Sequence, residues 1–310
     1  MPTNTIAAFG WEHCAQLSNA HAELLVTLDV GPRILSYKTP GGRNVLNALP
    51  ESLGTSGESE FVVRGGHRLW VSPEDARSYA PDNGPVKFEQ KESGSIFVEN
   101  APAAPWQVRK AMTISLSPGS SAVRIEHRLT NEGAEPITVS AWALTVMAPG
   151  GLEVIPQPPL GEHGKGAPGR EFLPTRVIVP WSFTDLSDER WKIGRRFITL
   201  RAEPGRPATK LGLLHSEGWA GYILPGALFI KTFVSVPDAL YPDFGCNFET
   251  FTKDTFLEME TLSPLRRLEP GQSVDHVENW HLFDGVTPPD SLEESVLEEW
   301  FVPFLAKIGL

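Results

Sequence analysis

Val123-Arg124-Ile125-Glu126-His127-Arg128-Leu129-Thr130 decides the fold class of this chain. Val123, Ile125, His127 and Leu129 fall on one side of an extended backbone, with Arg124, Glu126, Arg128 and Thr130 on the other. Successive side chains of a strand point to opposite faces, so this alternation predicts a half-buried antiparallel strand. The preceding run repeats it: Val108, Met112, Ile114 and Leu116 oppose Arg109, Thr113 and Ser115, with Lys110 the one mismatch. Working outward, similar patterns predict strands at 23–30, 33–38, 95–99, 138–146, 197–201, 227–234, 255–262 and 277–283. Pro40-Gly41-Gly42, Asn131-Glu132-Gly133 and Pro270-Gly271 supply turns between them.

The rest of the composition agrees with an all-β reading. With 310 residues, 41% of them apolar, the chain can bury a large core, and 28 Gly with 28 Pro suit many short strands and tight turns. The Gly- and Pro-rich segment 149–174 reads as a long surface loop over a binding face. Only the C-terminus reads as a strong helix, at about 291–308. There Ser291 and Glu294 form a capping box, Leu292, Val296, Leu297, Trp300 and Phe301 follow at helical spacing, and Pro303 should end or kink it. Residues 1–310 are expected to form one unit.

Several function classes are disfavoured at this level. A net charge of −11 argues against nucleic acid or an anionic membrane as partner. Cys14 and Cys246 match no metal-ligand spacing and are expected as buried free thiols. No basic-then-apolar leader and no run of eighteen apolar residues is visible, which points to a cytoplasmic location. There is no P-loop, dinucleotide glycine turn or Gly-x-Ser-x-Gly elbow, so no cofactor is expected. Nor is a metal expected, His67 and Glu74 being too few as donors.

Four stretches together resemble the galactose mutarotase-like superfamily, which includes the aldose 1-epimerases. Gly31-Pro32-Arg33-Ile34-Leu35-Ser36 is similar to an early Gly-x-x-Ile-x-Ser strand. Gly65-Gly66-His67-Arg68-Leu69-Trp70-Val71-Ser72-Pro73-Glu74 is similar to the Gly-Gly…Pro element lining the sugar groove. Residues 124–133 resemble the central strand with its Thr-Asn-x-Gly turn, and Leu257-Glu258-Met259-Glu260-Thr261 with Pro270-Gly271 resembles the late Leu-Glu-Thr strand and the following turn. The resemblance implies a β-supersandwich of antiparallel sheets whose concave side holds a small-molecule carbohydrate. In catalytic members a glutamate takes the anomeric hydroxyl proton while a histidine protonates the ring oxygen. Here the sequence departs from the pattern: Ser140-Ala141-Trp142-Ala143-Leu144-Thr145-Val146, where that histidine belongs, contains none.

Glu258 and Glu260 share one strand face and are the two candidate bases, Glu260 being favoured because it directly precedes Thr261. Paired carboxylates raise one another's pKa, which suits a base working near neutrality, though a pair on a wet sheet face can equally be mere solvated charge. His67 is the remaining candidate acid or a hydroxyl contact. Arg68, Glu74, Asp82 and Glu249 are candidates for directional hydrogen bonds to a sugar. Trp70, Trp142 and Trp181 are candidate stacking surfaces among nine tryptophans, most of which must be core. Lys231 either lines the groove or lays its stem on Phe229 and Phe233, and His127 is expected as a satisfied core histidine.

Overall fold

The computed structural model describes residues 4–76, 78–102, 107–166, 172–254 and 256–310. It consists of two large antiparallel sheets stacked face to face, with one helix at the C-terminus. The first sheet runs Asn4–Ala8, Trp11–Ser18, Glu23–Thr27, Arg33–Lys38, His67–Ser72, Ile137–Met147, Phe256–Leu262, Phe248–Lys253, Thr209–Leu213 and Ile178–Pro180, with Arg266–Leu268 also on Ile137–Met147. At the centre of the second are Leu152–Pro156, Trp219–Leu224, Gly226–Phe233, Ser273–Val286 and the decisive strand Val123–Asn131, followed by Val108–Leu116.

The alternating segments fold as their pattern dictates. Val123, Ile125 and Leu129 are buried while Arg124, Glu126 and Arg128 face water. Ile114 and Ile125 of the second sheet meet Met147, Met259 and Leu257 of the first in one continuous core, filled by Tyr37, Phe229 and Trp280.

Three expectations need correction. The segment 149–174 is not wholly a loop: Leu152–Pro156 is a strand between two neighbours of the second sheet, and residues 167–171 lie outside the described residues. All five of its residues are buried, so the alternation that reveals a half-exposed strand is absent. Thr255, expected to open the late acidic strand, also lies outside the described residues. The helix spans Glu294–Ile308 and passes through Pro303, which sits on the exposed side, where water can reach the carbonyl the proline leaves unbonded. No capping box forms; the Glu294 carboxylate instead accepts hydrogen bonds from the backbone N–H groups of Arg196 and Phe197.

That helix lies on the outer face of the second sheet. Leu297 and Phe301 are buried against Leu152, Val154, Leu228 and Ile230, and the Phe301 ring stands 4.9 Å from that of Trp219. Gly221 makes room for it, since a Cβ there would come within 2.8 Å of the Phe301 ring. Phe301→Ala should therefore destabilise the protein by about 3–5 kcal/mol in urea unfolding, as expected for a buried aromatic. A loss below about 1 kcal/mol would show that the helix is not part of the cooperative core.

Candidate functional site

The site is built on the five strands at the middle of the first sheet. Residues directly opposite on antiparallel neighbours share a face. Arg68 opposes Leu144, Leu144 opposes Glu260 and Glu260 opposes Glu249, so one row crosses four strands. Trp70 and Trp142 form the next row, and Val146, Glu258, Phe251 and Lys210 a third. This face looks away from the second sheet and opens as a groove of about 300 Å³. Its floor is Arg68, Glu258, Glu260 and Lys210. Trp70, Trp142, Tyr79, Trp181, Phe183 and Phe251 contribute walls and rim.

The floor charges are paired. Arg68 donates to Glu258 at 2.7 Å, and its guanidinium lies 4.4 Å from the Trp70 ring centre. Lys210 donates to Glu260 at 3.0 Å and to Glu249 at 2.6 Å, with its ammonium over the rings of Trp142 and Trp181 at 4.8 and 4.6 Å. The Trp142 indole N–H donates to Glu260 at 2.8 Å. At the rim, the Tyr79 hydroxyl donates to Glu74 at 2.5 Å; burial and the Glu74 carboxylate push that phenol up to about 12. Burial works against the Lys210 charge, but Glu260 and Glu249 outweigh it and hold the ammonium above its ordinary range. Burial raises both Glu260 and Glu249 against the opposing pull of Lys210, with the neighbouring carboxylates, Glu258 for Glu260 and Glu260 for Glu249, adding to the rise.

Four buried polar atoms here have no hydrogen-bond partner among the described residues: Arg68 Nε, Trp70 Nε1, Glu249 Oε1 and Glu260 Oε1. Such groups are uncommon in native interiors and mark spare bonding capacity. A larger hollow, about 490 Å³, lies on the second sheet among Ser93, Ser95, Ser115, Arg124 and His281. It has no Trp, Tyr or Phe in its lining and no buried ion pair, so the smaller groove is the candidate site.

The expected residues separate into two groups. Glu258, Glu260, Arg68, Trp70, Glu74 and Trp142 converge on the groove, and Glu249 stands directly behind Lys210. Glu258 is 6% exposed and Glu260 1%, which makes Glu258 the more accessible of the two carboxylates. His67, Lys231 and Asp82 lie elsewhere. His67 opposes Thr145 on the other face of the sheet and is fully buried between the sheets, one residue out of phase with Arg68. Lys231 is buried there too, donating to Thr145 and Met259 and pairing with Glu278 at 2.8 Å. Asp82 is bound by Arg33 at 3.2 Å. Gly65 and Gly66, both at positive φ, let the chain turn tightly past the carbonyls of Asn47 and Ile34, which a Cβ would strike.

Between the sheets, His67, His127 and Glu278 offer donor atoms within 4.8 Å of one another, as a metal site would. Hydrogen bonds already account for them. The His276 carbonyl can only accept, so His127 Nδ1, 3.1 Å away, carries the proton and its Nε2 accepts from His67 Nε2 at 2.7 Å. His67 Nδ1 then accepts from the Thr145 hydroxyl at 2.9 Å, which itself accepts from Lys231. Glu278 takes the Thr261 hydroxyl, the Trp280 N–H and Lys231. The donor set is that of a closed hydrogen-bond network with neutral imidazoles.

Lys210, Tyr79, Phe183 and Phe251 are the groove residues named above that sequence reading missed. In Thr209-Lys210-Leu211-Gly212-Leu213 a cation sits on a strand buried throughout, so the sequence offers a charge in an apolar run but no partner for it.

With two stacked antiparallel sheets and a groove on the outer face of one, the protein has the galactose mutarotase-like fold. A galactose mutarotase-like protein from Lactobacillus casei superposes with a TM-score of 0.56 at 12% identity, over 87% of this chain and 100% of that one. A galactose mutarotase related enzyme from Lactobacillus acidophilus gives 0.54 at 11% identity, over 90% and 99%. A galactose mutarotase-like protein from Clostridium acetobutylicum gives 0.51 at 9% identity, over 91% and 98%. No family model and no curated protein matches the chain. The likeness is therefore one of fold.

Two outcomes test the electrostatics. Lys210→Met leaves Glu249 and Glu260 buried without their cation and should cost about 3–5 kcal/mol at neutral pH. The variant's stability should recover as pH falls and the carboxyls protonate, since groups with raised folded pKa stabilise below their unfolded value. A flat urea-midpoint profile between pH 4 and 8 would contradict the pairing. Separately, burial lowers His67 well below the ordinary imidazole range, lowers His127, and takes His276 down to about 3. Their contribution is full above the unfolded pKa of about 6.5 and is lost as pH falls toward the folded values. The raised carboxyls work in the opposite sense over this range, so the check is a difference: below about pH 6.5 His276→Asn should lose less stability on acidification than the wild type, read from melting curves.

Proposed function

We propose that this protein binds a carbohydrate in the groove over Glu258 and Arg68. The observation that carries the reading is the composition of one cavity: an aromatic wall above a floor of fixed hydrogen-bonding groups. A sugar ring offers both complements, an apolar C–H face for rings and hydroxyls that donate to carboxylates and accept from guanidinium and ammonium groups. The mutarotase-like fold of the chain and the unpartnered oxygen of Glu260 in the groove lining support the same reading.

A second reading, interconversion of anomers, is favoured by the raised Glu260 carboxyl beside Glu258. In it Glu258 or Glu260 takes the proton of the anomeric hydroxyl as the bond from the anomeric carbon to the ring oxygen breaks. The hydrogen-bonded Tyr79–Glu74 pair, on the same groove, supplies a proton to that oxygen, the freed aldehyde rotates about its bond to the next carbon, and the steps run in reverse then close the other anomer.

Calorimetric titration with free aldoses and simple glycosides tests the first reading. Saturable binding is expected, with Glu258→Gln weakening it about 10- to 100-fold, the loss of a hydrogen bond to a charged group. No saturable binding of any sugar sinks the proposal. Anomer exchange followed by NMR separates the readings: an exchange rate unchanged at high protein concentration leaves binding alone.

A further inference from the structure

The groove does not end at its rim. Phe183, 48% exposed, is at once part of the wall over Lys210 and part of the lining of a second, more open hollow of about 450 Å³. The second hollow holds Asp185, Ser187, Glu189, Arg206 and Ala208. Phe183 is therefore a crest between two adjoining depressions, its ring edge-on to Phe251 at 6.3 Å.

The segment carrying this crest is fixed at both ends. At one end the Thr184 hydroxyl donates to the Lys210 carbonyl at 2.5 Å and accepts from the Lys210 backbone N–H at 3.1 Å, while the Thr184 N–H bonds the Trp181 carbonyl. At the other end Asp188 accepts from Arg190 at 2.6 Å and from Arg206 at 3.1 Å, and Arg190 also donates to the Pro207 carbonyl. Trp181 is thereby held over Lys210 and Phe183 over the gap between the hollows. A wall braced on both sides is a preformed surface, with little ordering cost on binding.

Size points the same way. Small-molecule sites run from roughly 300 to 1,000 Å³, so a first hollow of about 300 Å³ suits one ring and little more. The adjoining hollow offers carboxylates and a hydroxyl as hydrogen-bond partners, and an exposed aromatic ring at the junction.

We infer that the ligand is a carbohydrate of at least two rings, one over Glu258 and Arg68 and the next across Phe183 in the hollow beside Ala208. This rests on the carbohydrate reading, and extends it from a single sugar to an oligosaccharide or glycoside with a sugar aglycone. The Ala208 side chain is part of the second hollow and not of the first, so it can be enlarged without touching the groove floor.

The test is calorimetry with glucose and galactose against maltose, cellobiose, lactose and their trisaccharides. At least one oligosaccharide should bind tenfold or more tightly than its constituent monosaccharides. Ala208→Trp, which fills the second hollow, should erase that gain and leave monosaccharide affinity unchanged, while Ala208→Ser should keep both. Oligosaccharides that bind no tighter than monosaccharides, or an Ala208→Trp that weakens both alike, overturn the second ring and leave the carbohydrate reading standing. Failure of every sugar to bind overturns both.

Discussion

The register of His67–Ser72, Ile137–Met147, Phe256–Leu262 and Phe248–Lys253 is the constraint on which the rest depends. In this register Arg68, Glu260 and Glu249 fall in one row on the outer face, while His67, Thr145, Met259 and Thr250 fall in the matching row on the inner face. Because strand periodicity is two, a slip of one residue would exchange the rows. The groove floor would then enter the core between the sheets, and the imidazoles would be turned toward solvent. Each row is polar, so hydrophobicity alone does not choose between them. What chooses is that each polar group finds its partner in one arrangement only: Lys231, paired with Glu278 on the neighbouring strand of its own sheet, reaches Thr145 and Met259 across the sheet interface, and Lys210 reaches Glu260 along the outer face.

How far the sequence was legible follows from the same physics. Half-exposed strands such as Val123–Asn131 and Val108–Leu116 announce themselves, because one face must be polar. Strands buried on both faces, such as Leu152–Pro156 and Trp219–Leu224, carry no alternation and offer only a short apolar run. At the site, the phase of Glu258 and Glu260 could be read along a single strand. Whether Arg68 or its neighbour His67 would join them could not, since that depends on which face of His67–Ser72 meets the second sheet. A segment with all six residues buried gives no sign of it. The same limit applies to Lys231, whose neighbours Phe229 and Phe233 mark an apolar face without saying which layer it belongs to. The inner-face Lys110, the one break in its strand's pattern, was visible as an anomaly and is buried as its position in the alternation requires.

The two polar clusters on opposite sides of this sheet differ in a way that bears on what each can do. Between the sheets, Lys231 spends its bonds on Glu278, Thr145 and Met259, and His67 and His127 each have both ring nitrogens engaged. Pairing of this kind favours one packing of the two layers, and the one inner carboxylate nearby with an unpartnered oxygen among the described residues is Glu153, whose other oxygen accepts from Thr250. On the outer face the pairing is incomplete. Glu260 and Glu249 each direct one oxygen to Lys210 and keep the other unpartnered among the described residues, and Arg68 and Trp70 keep one N–H each. An unpaired buried polar atom is costly wherever it stands. Four of them gathered beneath one aromatic-walled groove represent a cost that a hydroxyl-rich ligand, seated there, would offset. The unequal pairing around Lys210 and Lys231, more than the acidity of any one residue, is what favours the outer face for the proposed binding and the inner face for structure.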